Sequence, residues 1–471
     1  MNISYHFKRT HDVIGAAKVL IGLMRHERWT RKKLEDYQHQ RLYSLLAHAA
    51  RASPFYKEFY KHIRIDRATV LNDLPIIDKA IMMDHFDRLV TDPRLKLAKL
   101  QAHIRQLTDD AYYLGRYRVL TTSGSSGLKG VFVFSRQAWR IILAGYMRCG
   151  LSTHILPRFP HRLKESTIFA DNPVHASYRM KVSGQFFQVH SQRLSATASI
   201  DSHVKALNAF QPEVLSAYPS IIALLAIEQL EGRLNIQPRM IGIGGETHTT
   251  EMVSNVQAAW GITPFDLYGT TEGGAFNMDC PFHHGIHIAE DLTIMEVVDE
   301  QNRPVPDGTP GYKLLITNLF NYSQPLIRYE VSDMVTVSKE LCPCGRPFRL
   351  IARVDGRNDD IIYLPDARGR DTPVHPIHFA TALGVIQQIR EYRVVHEKEG
   401  LVISVVLRKE DSGDCVAAEI RANLTKSLKS LDVHCPGMHI QFVKNMERGP
   451  HTMGKVKLVQ SRVKRPAGRG F

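Results

Sequence analysis

The chain has 471 residues, 44% hydrophobic and 23% charged, with 61 Lys and Arg against 47 Asp and Glu for a net charge of +14. This is a globular composition, long enough for a large domain plus a smaller one, and it excludes a disordered chain. A membrane span needs roughly 20 uncharged apolar residues, and the best candidate, Val13 to Met24, is interrupted by Lys18.

The start, Met1 to Lys8, lacks the charged-then-apolar layout of a signal peptide, so a cytoplasmic protein is expected. From Arg31 to Ile63 the pattern is helical, with Leu34, Tyr37, Leu42, Leu45, Leu46 and Ala49 at spacings of three and four. Ser53-Pro54 stops the first helix and Phe55 to His62 resumes. Asn72 to Lys79 reads as a loop leading to a short helix. In the middle, strands alternate with helices: Thr167 to Ala170 and Val214 to Tyr218, then a helix over Ser220 to Leu230. A strand over Met240 to Gly244, a helix over Thr249 to Trp260 and a strand over Thr263 to Tyr268 follow. That alternation predicts a layered α/β domain.

Later segments are strand-rich. Leu292 to Val298 and Tyr312 to Asn318 flank the turn cluster Pro304 to Gly308. A boundary is expected near Val354 to Asp360. Beyond it, paired strands at Tyr392 to His396 and Leu401 to Leu407, and an amphipathic helix over Cys415 to Leu431, predict a compact α+β unit. The fold class is therefore α/β: a large N-terminal α/β domain of several subdomains, residues 1–355, and a small, mobile α+β domain, residues 356–471.

Chemistry-bearing segments punctuate this frame. Thr121 and Thr122 lead into Ser123-Gly124-Ser125-Ser126-Gly127-Leu128-Lys129-Gly130, between the apolar stretches Val119-Leu120 and Val131 to Phe134. Glycines permit tight, left-handed backbone; hydroxyls and exposed amides can wrap a polyphosphate, and Lys129 adds a cation. The Walker spacing is absent. Tyr268-Gly269-Thr270-Thr271-Glu272 follows a predicted strand, where α/β proteins place ligands. A hydroxyl there can bond a phosphate, and a carboxylate can hold magnesium beside it. Pro325-Leu326-Ile327-Arg328-Tyr329-Glu330-Val331-Ser332-Asp333 offers Asp333 to ribose hydroxyls. Gly356-Arg357-Asn358-Asp359-Asp360 offers Arg357 to a phosphate or ribose, and Gly454-Lys455 lies near the C-terminus. Taken alone, the hydroxyl-rich loop can also be a hairpin that binds nothing, the pentapeptide an ordinary turn, Asp333 and Arg357 surface ion pairs, and Lys455 a solvated lysine.

Six cysteines scattered over the chain are not a disulfide framework. Cys280 and His287 lie in Cys-Pro-Phe-His-His-Gly-Ile-His, and Cys342 and Cys344 follow in Cys-Pro-Cys-Gly. Three thiolates and one imidazole would close a tetrahedral structural zinc site, with His283 or His284 as alternatives to His287. Despite the basic excess, no nucleic-acid-binding signature is present.

In this order the segments resemble the acyl-adenylate-forming superfamily: acyl-CoA synthetases, peptide-synthetase adenylation domains and luciferases. The chain is most similar to its phenylacetate–CoA ligase branch, over roughly residues 30–460. Gly244-Gly245-Glu246, the Tyr37 to Tyr60 stretch and Leu74-Pro75…Lys79 also match that branch.

The resemblance implies ATP-dependent activation of a carboxylic acid to an acyl-adenylate, with pyrophosphate release, then transfer to a thiol: CoA or a carrier-protein phosphopantetheine. It assigns Ser123 to Lys129 to the β- and γ-phosphates. Gly244, Gly245 and Glu246 line the adenine pocket, with Tyr268 against the base. Thr271 bonds the α-phosphate and Glu272 holds Mg2+. Asp333 binds the ribose with Arg357 nearby, Asp359 sits at the hinge, and Lys455 bridges carboxylate and α-phosphate. Tyr218, Gly273, Gly274 and Phe276 are expected to wall the acyl pocket, the glycine pair leaving room for an aromatic or other compact acid. Some members of the branch carry a Cys/His metal site in this place.

The stretch Ile362 to Pro373 departs from the branch pattern where the acceptor tunnel is shaped. It keeps open an amide-forming synthetase; an inactive nucleotide-binding module is a further alternative. The oligomeric state is left open, a homodimer included.

Overall fold

The computed structural model describes residues 3–122, 129–155, 161–184, 189–274, 276–366, 368–369, 371–386, 388–408, 413–433, 437–446 and 457–463. Its centre is a nine-stranded mixed sheet. From one edge, Val189–Ser195, Leu163–Phe169, Val214–Ala217, Met240–Gly244 and Phe265–Gly269 run parallel. Phe276–Met278, Ile286–His287, Leu350–Arg357 and Asp333–Val337 continue it antiparallel. Parallel strands need crossovers, and the helices Pro219–Leu230 and Thr250–Trp260 supply them. Thr249 caps the second by accepting from Met252 N at 3.2 Å, and Gly261 ends it at φ +68°.

Ser53 serves two helices at once. It ends Arg31–Ala52, its N–H bonding to the Ala49 carbonyl, and its hydroxyl accepts from Tyr56 N to open Pro54–Phe59, with Pro54 in the first turn. The expected stop at Ser53-Pro54 is there.

A helix over Ile3–His26 was not foreseen. It packs on the Arg136–Ser152 helix, and its buried side carries a carboxylate: Asp12 is fully buried, ion-paired to Arg118 (3.3 Å), Arg136 (2.9 Å) and Arg140 (3.0 Å). A charge on the buried side breaks the apolar period by which a helix is recognised. No helix among the described residues is long and apolar enough to cross a membrane.

The strand Leu350–Arg357 runs through the boundary expected at 355/356 and gives way to a turn of 3-10 helix at Asn358–Asp360. Beyond it, residues 362–459 build an apolar core of their own around Phe379, Ile403, Val405 and Ile420, under a four-stranded sheet and the Gly413–Lys429 helix. This unit touches the large one through Arg390 on Glu228 (2.7 Å) and Arg408 on Glu251 (3.8 Å).

Candidate functional site

Three of the predicted segments, those carrying Tyr268, Asp333 and Arg357, meet at the strand ends. The Tyr268 hydroxyl donates to Asp333 Oδ2 at 2.8 Å, and Arg357 Nε donates to Asp333 Oδ1 at 2.9 Å. Sheet register makes this possible: Asp333 pairs with Arg357 at one end of an antiparallel ladder, and Tyr268 stands on a strand of the same sheet. Burial pushes the Tyr268 phenol far above its ordinary range, with the Asp333 carboxylate adding to the rise, so it stays a donor. Asn277 fixes the strand from the other side, donating to the Tyr268 carbonyl at 3.1 Å.

Within Tyr268 to Glu272, Thr270 is committed to the turn. Its hydroxyl accepts from Gly273 N at 2.9 Å and its carbonyl from Gly274 N at 3.1 Å. The neighbouring Thr271 hydroxyl has no protein partner among the described residues. Desolvation pushes the Glu272 carboxyl above its ordinary range, and the charges of Lys79 and Arg357 pull it back. A part-buried carboxylate with Asp333 and two cations around it is suited to a metal ion that also meets phosphate.

Lys79 was matched to the branch without being given a role. Arg328 explains how it arrives. The Arg328 guanidinium turns away from the site and donates to Leu74 O (2.7 Å) and Asn72 O (3.0 Å), ion-paired to Glu296 at 3.1 Å. Ile77 N bonds the Arg328 carbonyl and Glu330 N bonds Ile77 O, a parallel bridge between Ile77 and Tyr329. The loop carrying Lys79 is thus stitched to the strand before Asp333.

Gly244 and Gly245 end their strand under constraint. A Cβ on Gly244 would meet Leu267 O at 2.5 Å, and Gly245 has φ +81°. Glu246 accepts from Ser220 N at 3.2 Å in the first turn of the Pro219–Leu230 helix. Thr122 closes the base of the hydroxyl-rich loop, its side chain accepting from Gly130 N at 3.0 Å, and Lys129 is exposed. Ser123, Gly124, Ser125, Ser126, Gly127, Lys455 and the side chains of Phe276 and Asp359 lie outside the described residues.

The expectation about the glycine pair is corrected. A Cβ on Gly274 would stand 3.0 Å from Phe134 and 3.3 Å from both Ile142 and Phe320, so side chains already occupy that side. Gly274 is there for close packing at φ +61° rather than to leave a ring-sized gap. Tyr218 is a core residue, 3% exposed, edge-on to Phe169 and accepting from Ala170 N at 3.3 Å.

Cys280, His287, Cys342 and Cys344 come together with their ligand atoms all within 4.8 Å. Cys280 Sγ lies 3.6 Å from Cys342 Sγ, and Cys344 Sγ lies 3.4 Å from His287 Nε2. Bonds of about 2.3 Å to sulfur and 2.0 Å to nitrogen make tetrahedral edges of about 3.8 and 3.5 Å, so these donors fit zinc. Strand pairing selects the imidazole: His287 sits opposite Leu350, whereas His283 is bonded to Asp279 and His284 is exposed. Burial holds His287 near 4, hence neutral, and raises the Cys280 thiol to about 12, a cost that a bound cation removes.

No protein-family model matches the chain. It is 26% identical over 412 residues to the phenylacetate–coenzyme A ligase of Thermus thermophilus, covering 81% of this chain and 82% of that protein. It is 27% identical over 299 residues to the Pseudomonas putida enzyme of the same name, covering 58% and 66%. Among solved structures it resembles 2-hydroxyisobutyryl-CoA ligase in the postadenylation state with R3-HIB-AMP. The TM-score is 0.72 at 19% identity, over 93% of this chain and 92% of that one.

The fold is therefore the one seen in that CoA ligase. In sequence the chain is similar to phenylacetate–CoA ligases over most of its length.

Proposed function

We propose that this chain is an AMP-forming acid–thiol ligase. It activates a carboxylic acid with ATP, releases pyrophosphate, and passes the acyl group from the acyl-adenylate to CoA in the cytoplasm. The observation that carries the reading is the Tyr268–Asp333–Arg357 cluster beside Glu272 and Lys79. A carboxylate, a phenol and a mixture of charges gathered at one set of strand ends support a reading as ribose acceptor, aromatic wall and phosphate-facing group. The branch relatives, named as CoA ligases, support the acceptor; a carrier-protein thiol is the finer alternative within the same chemistry.

We assign the roles as follows. Asp333 takes the ribose hydroxyls, Arg357 steadies it, and Tyr268 flanks the base with Gly244 to Glu246. Thr271 donates to the α-phosphate. Glu272 holds magnesium, which neutralises phosphate charge when bound, and Lys79 faces the same anions together with the loop of Ser123 to Lys129. A carboxylate attacking a polyphosphate meets charge repulsion, so positioning and fixed cations supply the catalysis. Lys455 is assigned to the acid–phosphate junction. For the second half-reaction the small domain, residues 356–471, turns about Asp359, which parts Arg390 from Glu228.

Acid-dependent exchange of labelled pyrophosphate into ATP, run over a panel of aromatic and short aliphatic acids, tests the activity. Exchange with none of them sinks the assignment. Glu272→Gln keeps shape and loses charge. The magnesium concentration for half-maximal rate should rise about tenfold, with a lower plateau. An unchanged magnesium titration would reduce Tyr268 to Glu272 to an ordinary turn.

Cys280, His287, Cys342 and Cys344 are assigned a structural zinc. The loop they close joins Val337 to Leu350, while Asp333 and Arg357 occupy the other end of the same ladder. Purified protein should carry about one zinc per chain. Cys342→Ser should lose it and melt about 5 °C lower or more. Freshly purified, chelator-free protein without metal would overturn the site.

A further inference from the structure

A cavity of about 240 Å³ lies where the N-terminal helix Ile3–His26 meets the Arg31–Ala52 and Arg136–Ser152 helices. None of the assigned roles uses it. Its apolar walls include Leu23, Ile141 and Phe320; its polar side is His26, Tyr37 and Arg41. Asp291 also reaches it, but that carboxylate is satisfied. Arg148 grips it with two bonds, at 2.7 and 3.1 Å, and His26 Nδ1 lies 2.9 Å away.

Arg41 is different. Its one described hydrogen bond goes to the Leu319 carbonyl at 3.1 Å, and its guanidinium lies over the Tyr322 ring at 5.7 Å. Among the described residues it has no carboxylate partner, and the Tyr37 hydroxyl has no protein partner at all. A guanidinium has five donors, and half-burying it against apolar walls without a counter-charge is costly. A carboxylate accepts two of those donors side by side, and a phenol can add a third bond.

We infer that this cavity binds a compact organic monoanion, its carboxylate on Arg41 and Tyr37 and its apolar body against Leu23, Ile141 and Phe320. A cavity of about 240 Å³ accommodates a single ring or a short branched chain. The site stands apart from the adenylation cluster yet shares a wall with it: Phe320, which lines the cavity, also packs against Gly274. Occupancy therefore bears on the loop that follows Glu272. The assignment does not depend on the ligase reading.

His26 stacks on Trp29 with ring centroids 3.9 Å apart, so tryptophan emission of the full chain reports the site. Three probes are titrated: benzoate, neutral benzamide and inorganic phosphate. Benzoate should give a saturable change that vanishes in Trp29→Phe. Benzamide lacks the charge and phosphate the apolar body, so both should bind at least about tenfold more weakly, the worth of one charge-assisted contact. Arg41→Ala should weaken benzoate by about tenfold or more, while Arg41→Lys retains part of the affinity. If Arg41→Ala fails to fold, Tyr37→Phe reads the same site by a smaller loss. Asp333→Asn should titrate like wild type, which separates this cavity from the nucleotide cluster. No saturable change in the wild type up to about 10 mM benzoate, or a change indifferent to Arg41 and Tyr37, overturns the proposal. Neither result touches the pyrophosphate exchange that tests the ligase reading.

Discussion

Asp333→Asn is expected to lower kcat/KM for ATP by about a hundredfold, or about 2.7 kcal/mol. Asn keeps the shape and can still accept from Tyr268. What it loses is the charge that pairs Arg357 and would accept both ribose hydroxyls. Breaking a buried pair from one side costs about 3–5 kcal/mol; the Arg357 side chain is 42% exposed, so solvent returns part of that. The decisive readout is 2′-deoxy-ATP. Wild type should prefer ATP, and the preference should collapse in Asp333→Asn because the removed carboxylate is the group that senses the hydroxyl. A preference that survives intact would show that Asp333 only braces Arg357. The melting temperature should fall by a few degrees, the share of the broken Asp333–Arg357 pair that solvent does not return.

Local chemistry was legible in the sequence where a residue acts on its neighbours. Ser53-Pro54 announced a helix break because cap and proline work within one turn. The turn around Thr270 and the four metal donors were readable for a related reason, since each needs particular side chains at fixed short spacings. Which histidine joins the cysteines was not, because pairing with Leu350, more than sixty residues away, decides it. Lys79 escaped for the same reason: its place beside Glu272 comes from a bridge between Ile77 and Tyr329 that no local pattern announces. The Ile3–His26 helix was hidden by a buried carboxylate whose arginine partners sit more than a hundred residues downstream. Gly273-Gly274 misled in the opposite sense. A glycine pair permits open space or close packing alike, and only the positions of Phe134, Ile142 and Phe320 distinguish them.

Lys455→Ala should cut acid-dependent pyrophosphate exchange by about 10²- to 10³-fold, the scale of removing one preorganised transition-state contact. Charge builds between the substrate carboxylate and the α-phosphate only in the first half-reaction. Thioester formation from supplied acyl-adenylate should therefore stay within about twofold of wild type. Lys457, two residues on, is the rival for this role. Its ammonium is ion-paired with Asp360 at the end of the hinge turn, which commits it to the domain junction. Lys457→Ala should accordingly change exchange by no more than the worth of a partly exposed ion pair, about 1 kcal/mol. The reverse pattern, with Lys457→Ala crippled and Lys455→Ala active, would move the assignment to Lys457. It would also mean that the Asp360 pair breaks before adenylation. Loss of both half-reactions in Lys455→Ala would instead point to a fault in how the small domain docks, and the melting temperature of the variant would then fall with its activity.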